Sequence, residues 1–73
     1  MDPMLSPRER ARLVLARHHA GYTQNEMAPL VGVARVSLAR IEVGIRNPSW
    51  NTLLRYCEAV GLRPRVLLED ACK

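Results

Sequence analysis

The side chains best equipped for chemistry in this sequence are its arginines. They make up ten of the eleven basic residues, and the seven acidic residues leave a net charge of +4. A guanidinium is planar, permanently charged and carries five N–H donors in a fixed fork. That fork matches a phosphate or the acceptor edge of a guanine. The chemistry on offer is therefore recognition of a polyanion rather than the making or breaking of bonds. The plainer reading of the same charge is a mildly basic, solvated surface. Catalysis finds no support. There is no glycine-rich phosphate loop, no metal-ligand set and no nucleophile paired with a base. A chain of 73 residues also leaves little room for a typical small-molecule pocket of ~300 Å³ or more. Cys57 and Cys72 are too few for a disulfide scaffold and lack the Cys/His spacing of a zinc site. His18 and His19 have no carboxylate or cysteine at ligand spacing. No enzyme activity, cofactor or metal is expected.

Composition sets the frame that must hold these arginines. Apolar types form 48% of the chain and charged types 25%, which describes one small globular domain. Residues 1–6 read as an N-terminal tail and 7–71 as the folded domain. No run reaches the ~18 apolar residues of a membrane span. The opening MDPMLSPRER lacks the apolar stretch of a signal peptide. A cytoplasmic protein without a membrane partner is the expectation. So small a chain without disulfide or metal staples is also expected to self-associate.

Turn signals at Gly21, Gly32, Gly44 to Pro48, and Gly61 cut the chain into helix-length pieces with no sustained strand alternation. The fold class is all-α, and the spacing predicts five helices. The first starts at Pro7, with Ser6 as cap and Glu9 completing a capping box. Leu13, Ala16 and Ala20 form its inward stripe, which Arg17 shares. The second follows Thr23, which pairs with Glu26 in another capping box. Met27, Ala28, Leu30 and Val31 supply its apolar surface. Pro29 lies beyond the first turn, where it removes a helical hydrogen bond, so a distorted turn is expected there. The third runs from about Ala34 to Val43. Leu38 and Ile41 point inward, while Arg35, Val36, Ala39, Arg40 and Val43 share the other face. The fourth follows Ser49, with Leu53, Leu54, Cys57 and Val60 as its stripe. Trp50 and Tyr56 are open between core and dimer contact. The segment 62–70 is either a last helix, starting at Pro64 and carrying Val66, Leu67 and Leu68, or a strand paired with its copy in a dimer. Pro64 cannot donate a ladder hydrogen bond, which favours the helix.

Between Gly21 and Pro48, two short helices joined by a tight turn at Gly32-Val33 follow a helix-turn-helix plan. The second of them is shaped to enter a major groove about 12 Å wide. Gly21-Tyr22-Thr23-Gln24, Met27-Ala28, Gly32-Val33, Ser37, Ile41-Glu42, Gly44, Pro48 and Leu53 together resemble the Cro and phage-repressor (Xre) type of helix-turn-helix domain, over roughly residues 8 to 70. The resemblance implies a compact, lambda-repressor-like bundle of five helices. It also implies sequence-specific regulation of transcription, usually by a homodimer on a palindromic double-stranded DNA site.

Site residues follow from the resemblance one by one. Gln24, at the start of the second helix, is expected to hydrogen-bond a phosphate. Arg35 and Arg40 are expected to contact bases, with a phosphate grip the equal alternative for Arg40, and Val36 to press on a thymine methyl. Ser37 is placed with the phosphate contacts, or else bonds the turn before it. Arg46 and Asn47, in the loop after Gly44, are expected to run along the DNA backbone, joined by the amides of Trp50 and Asn51 beside Ser49. Ile45 departs from the pattern, in which a basic residue is common there. Arg17 and Glu42 stand where the family often has a buried ion pair, and an arginine in an apolar stripe requires such a partner. Arg8, Arg10 and Arg12 read as a solvated face of the first helix or as charges that raise the long-range attraction to DNA, and the dimer surface is guessed at the fourth and fifth helices. The rival to a DNA-binding regulator is a protein-interaction module: an antitoxin that neutralises a toxin or another protein partner and autoregulates its operon.

Overall fold

The computed structural model describes residues 3–67, and its first four helices all stop at a glycine while three of them start at a side-chain cap. They are α1 (Pro7–Ala20), α2 (Gln24–Val31), α3 (Arg35–Val43) and α4 (Trp50–Val60). The Ser6 and Thr23 side-chain oxygens each accept the amide three residues on, and their own backbone amides donate to the Glu9 and Glu26 carboxylates, so both capping boxes close. Ser49 caps α4 through the Thr52 amide. Ala34 starts α3 with no side-chain cap, leaving that helix start open to an outside acceptor. Pro29 sits inside α2, which nevertheless runs unbroken from Gln24 to Val31. The carbonyl that loses its amide partner belongs to Asn25, an exposed residue that water can reach.

α2 crosses both α3 and α4, and α1 closes the far side against the same two helices. Their shared interior holds Leu13, Met27, Ala28, Val31, Leu38, Leu53, Tyr56 and Cys57. Ile41 is also buried. Three expected core contributors lie elsewhere: Ala20, Leu30 and Leu54 are exposed, and Ala16 is half-buried. The stripes are narrower than the apolar residues available to fill them, since α2 and α4 each bury one side against the bundle. Tyr56 belongs to the core, whereas Trp50 is exposed.

One architectural expectation needs correction. Among the described residues the bundle is built from four helices, not five. The element α5 (Pro64–Leu67) is a single helical turn resting on α1 and α4. The segment 62–70 thus begins as a turn of helix rather than a strand, while Leu68 and the rest of it lie outside the described residues, as does Cys72. Of the expected N-terminal tail, residues 3–6 are described. Pro3 and Leu5 are buried, and Leu5 joins the core cluster. The Leu5 carbonyl also accepts from the Arg10 guanidinium, which ties this segment to α1.

Candidate nucleic-acid interface

The α2–α3 connection is tight. The amides of Gly32 and Val33 both reach the Ala28 carbonyl, at 2.9 and 3.1 Å. Leu38 and Ile41 then anchor α3 to the bundle, and its opposite face is turned to solvent. On that face Arg35 and Arg40 are exposed, and neither has a hydrogen-bond or ion-pair partner among the described residues. Val36 between them is 48% exposed, and Ala39 is half-buried. An uncovered valine flanked by two unengaged guanidinium groups is a surface waiting for a partner with both apolar and acceptor groups.

A polar rim surrounds this face. After α3 the chain reverses sharply, because the amides of Ile45 and Arg46 both fold back to the Arg40 carbonyl, at 2.9 and 3.3 Å. The reversal brings the Arg46 guanidinium onto α3, where it donates to Ser37 Oγ at 3.1 Å. Ser37 therefore serves as an acceptor that steadies Arg46, and not as a bond to the preceding turn. Asn47, Trp50 and Asn51 follow on the surface. The Trp50 and Asn51 amides occupy the first positions of α4, ahead of the amide that Ser49 caps. Gln24 opens α2 and is half-buried. Its side chain is already engaged: Nε2 donates to Glu42 Oε1 at 3.0 Å.

Behind the rim, Glu42 ties the four helices together. Its carboxylate accepts from Arg17 Nε at 2.8 Å and Nη2 at 3.0 Å, from Gln24 Nε2, and from the Tyr56 hydroxyl at 2.7 Å. Those four donors match the roughly four lone-pair sites of a carboxylate. Burial pushes the Glu42 carboxyl up, but the hydrogen bonds from Arg17, Tyr56 and Gln24 outweigh it and hold its pKa below the usual carboxylate value. Arg17 is pushed further into its charged form, chiefly by its hydrogen bonds to Glu42 and against the cost of burial. Burial first, and Glu42 second, drive the Tyr56 hydroxyl well above its ordinary value, so it remains a donor. The third nitrogen of Arg17 donates to the Tyr22 carbonyl at 2.9 Å. Arg17 and Glu42 thus meet as a bidentate pair inside the scaffold, away from the α3 face.

Several participants escaped sequence reasoning. Tyr56 was open between core and dimer contact, and its spacing after Leu53 was the signal for the inward position. Arg10 is not on a solvated face. Its Nη1 donates to the Leu5 carbonyl at 2.9 Å, and its guanidinium lies against Gly44, where a Cβ would fall 2.5 Å from Cζ. Gly44 has φ +88°, so it is required both for the left-handed end of α3 and for this approach. Glu9, beyond its capping role, is buried, with Oε2 unpartnered among the described residues. An open surface groove of about 330 Å³ between α2 and α4 is lined by Leu30, Arg55, Glu58 and Ala59. It contains no nucleophile–base arrangement.

A short helix locked by a tight turn to a second helix with an uncovered basic face, both mounted on supporting helices, defines a helix-turn-helix DNA-binding domain. The chain matches the helix-turn-helix domain family over residues 8–71 and belongs to it, in its Cro and phage-repressor branch. The family is one of DNA-binding domains and is typically non-enzymatic. No curated protein and no solved structure matched the chain. Among the described residues, no helix is long and apolar enough to cross a membrane.

Proposed function

We propose that this chain is a transcriptional regulator that reads a palindromic double-stranded DNA operator as a homodimer, with α3 in the major groove, and represses by occupying that site. The observation that carries the reading is the α3 face, where Arg35, Val36 and Arg40 are uncovered and the two guanidinium groups have no partner within the described subunit. A nine-residue helix is about 13 Å long, a length that a groove about 12 Å wide accommodates at an angle. Arg35 sits in the first turn, where side chains reach deepest, and takes the base-reading role. Arg40 extends the contact, and Val36 meets a thymine methyl. Gln24, Arg46 with Ser37, Asn47, and the amides of Trp50 and Asn51 form the phosphate rim that sets register and orientation. The dimer contact is supported by Trp50 and Leu54, both about half exposed and four residues apart on one face of α4.

Selection of bound duplexes from a random DNA pool tests the proposal. A two-fold symmetric site should be enriched, with half-sites about one helical turn apart. Binding should weaken with salt at a slope near −0.9 per phosphate contact. A pool that returns no enriched sequence would remove the base-reading role of α3.

A further inference from the structure

We propose that the Tyr56 hydroxyl, acting through the Glu42 carboxylate, is a positioning group for the Gln24 side chain, so that a phosphate contact at the protein surface is set by a residue of the α4 core. The inference rests on the DNA-binding reading above and names a residue outside the interface.

The geometry leads there in steps. Tyr56 has one hydroxyl hydrogen and two acceptors in range, Glu42 Oε2 at 2.7 Å and the Leu13 carbonyl at 3.2 Å. The shorter, charge-assisted bond takes the hydrogen. The Tyr56 ring is 1% exposed, so core packing fixes where that hydrogen points. Arg17 occupies one site on each carboxylate oxygen, and Tyr56 fills the second site on Oε2. The site that remains is the second on Oε1, and there the Gln24 amide is found. Tyr56 thereby closes the alternative seat for Gln24 and stops the carboxylate from pivoting about the guanidinium.

The consequence lies on the outward side of Gln24. Its amide carries two hydrogens, and Glu42 accepts one. The other is aimed by the first, because the amide is planar. Arg17 offsets the negative charge of Glu42, which allows a neutral amide to bridge between that carboxylate and a phosphate. A glutamine held in this way has already given up the rotamer freedom that binding would otherwise cost it. Gln24, half-buried and with three flexible side-chain bonds, would lose that advantage if the carboxylate moved.

The test is a cycle of Tyr56→Phe, Gln24→Ala and the double variant, with affinity measured on the selected duplex and on a scrambled one at fixed salt. Thermal melting followed by circular dichroism gives the folded fraction. Tyr56→Phe should weaken both duplexes about fivefold, the net worth of one hydrogen bond. In the Gln24→Ala background it should weaken neither further. Equal losses in the two backgrounds would make Tyr56 a purely structural residue and overturn the proposal. Wild-type affinity for Tyr56→Phe would overturn it too, while leaving the DNA-binding reading in place. A wild-type chain that binds no duplex would sink both. Should Tyr56→Phe not fold, nuclear magnetic resonance of the wild type decides. One Gln24 amide hydrogen should exchange slowly with water and ignore added duplex, while the other shifts on titration. If the two behave alike, the positioning role is refuted.

Discussion

Glu42→Ala offers the sharpest test of how this small scaffold is held. The substitution removes the acceptor for Arg17 Nε and Nη2, for Gln24 and for Tyr56. Arg17 is 6% exposed, so its charge would be left among apolar neighbours with only the Tyr22 carbonyl for company. Breaking a buried pair in this way costs about 3–5 kcal/mol. Domains hold about 0.05–0.15 kcal/mol per residue, so 73 residues amount to roughly 4–11 kcal/mol in total. Glu42→Ala should therefore consume about a quarter or more of the stability and, at the low end of that range, leave the domain largely unfolded. The double variant Arg17→Met/Glu42→Leu removes both charges and keeps the volume. Tyr56 then retains the Leu13 carbonyl as acceptor. We expect it to cost at most about 2 kcal/mol, less than either single change. Urea unfolding followed by circular dichroism measures both, with the midpoint read at constant slope. A loss under about 1 kcal/mol for Glu42→Ala, or a double variant as costly as the two singles together, would show that the pair is not the buried tie described here.

Further expectations follow from the same contacts. Arg35→Ala should keep the wild-type melting temperature and relax preference at one base position of the selected site, a change worth about 1–3 kcal/mol of discrimination; an unchanged sequence preference would refute its base-reading role. Glu42 has a lower pKa folded than unfolded, so its contribution is complete above the unfolded value of about 4.3 and is lost as pH falls through the folded one. Stability should accordingly drop between pH 5 and pH 3 in the wild type and drop less in Arg17→Met/Glu42→Leu; equal acid losses would assign the effect to other carboxylates. Gly21→Ala and Gly44→Ala both force alanine into a left-handed conformation at about 1 kcal/mol or more, but a Cβ at Gly21 meets nothing within 4 Å. At Gly44 it displaces the Arg10 guanidinium, which should add about 1 kcal/mol for the lost bond to Leu5, and an Arg10→Ala background should abolish that difference in thermal melts.

Much of the fold is legible because its signals are local. Ser6 with Glu9, and Thr23 with Glu26, are three residues apart, and a helix start is a property of one turn. Gly21, Gly32, Gly44 and Gly61 end four helices at the positions where the apolar spacing stops. The outward placement of Arg35, Val36 and Arg40 follows from the inward placement of Leu38 and Ile41, since one helix cannot bury both faces against a single layer. The last helical segment starts at Pro64 as the sequence predicts, but its described part is one turn, Pro64–Leu67, and it does not count among the four helices of the bundle.

What the chain order by itself determined, then, is four helices that end at glycines, three of them with side-chain caps, a tight turn between the second and third, and a basic face on the third. Tertiary structure alone decided that Tyr56 and Gln24 converge on Glu42 from 14 and 18 residues away, and that Arg10 lies across the end of α3. The same holds for Leu5, which left the tail for the core. The physical reason is the range of the forces involved. Caps and stripes are set within one or two turns of a single helix. A hydrogen bond between side chains of different helices depends on crossing angles and rotamers fixed by packing, and a shift of about 1 Å in any of them would move a donor off its lone pair.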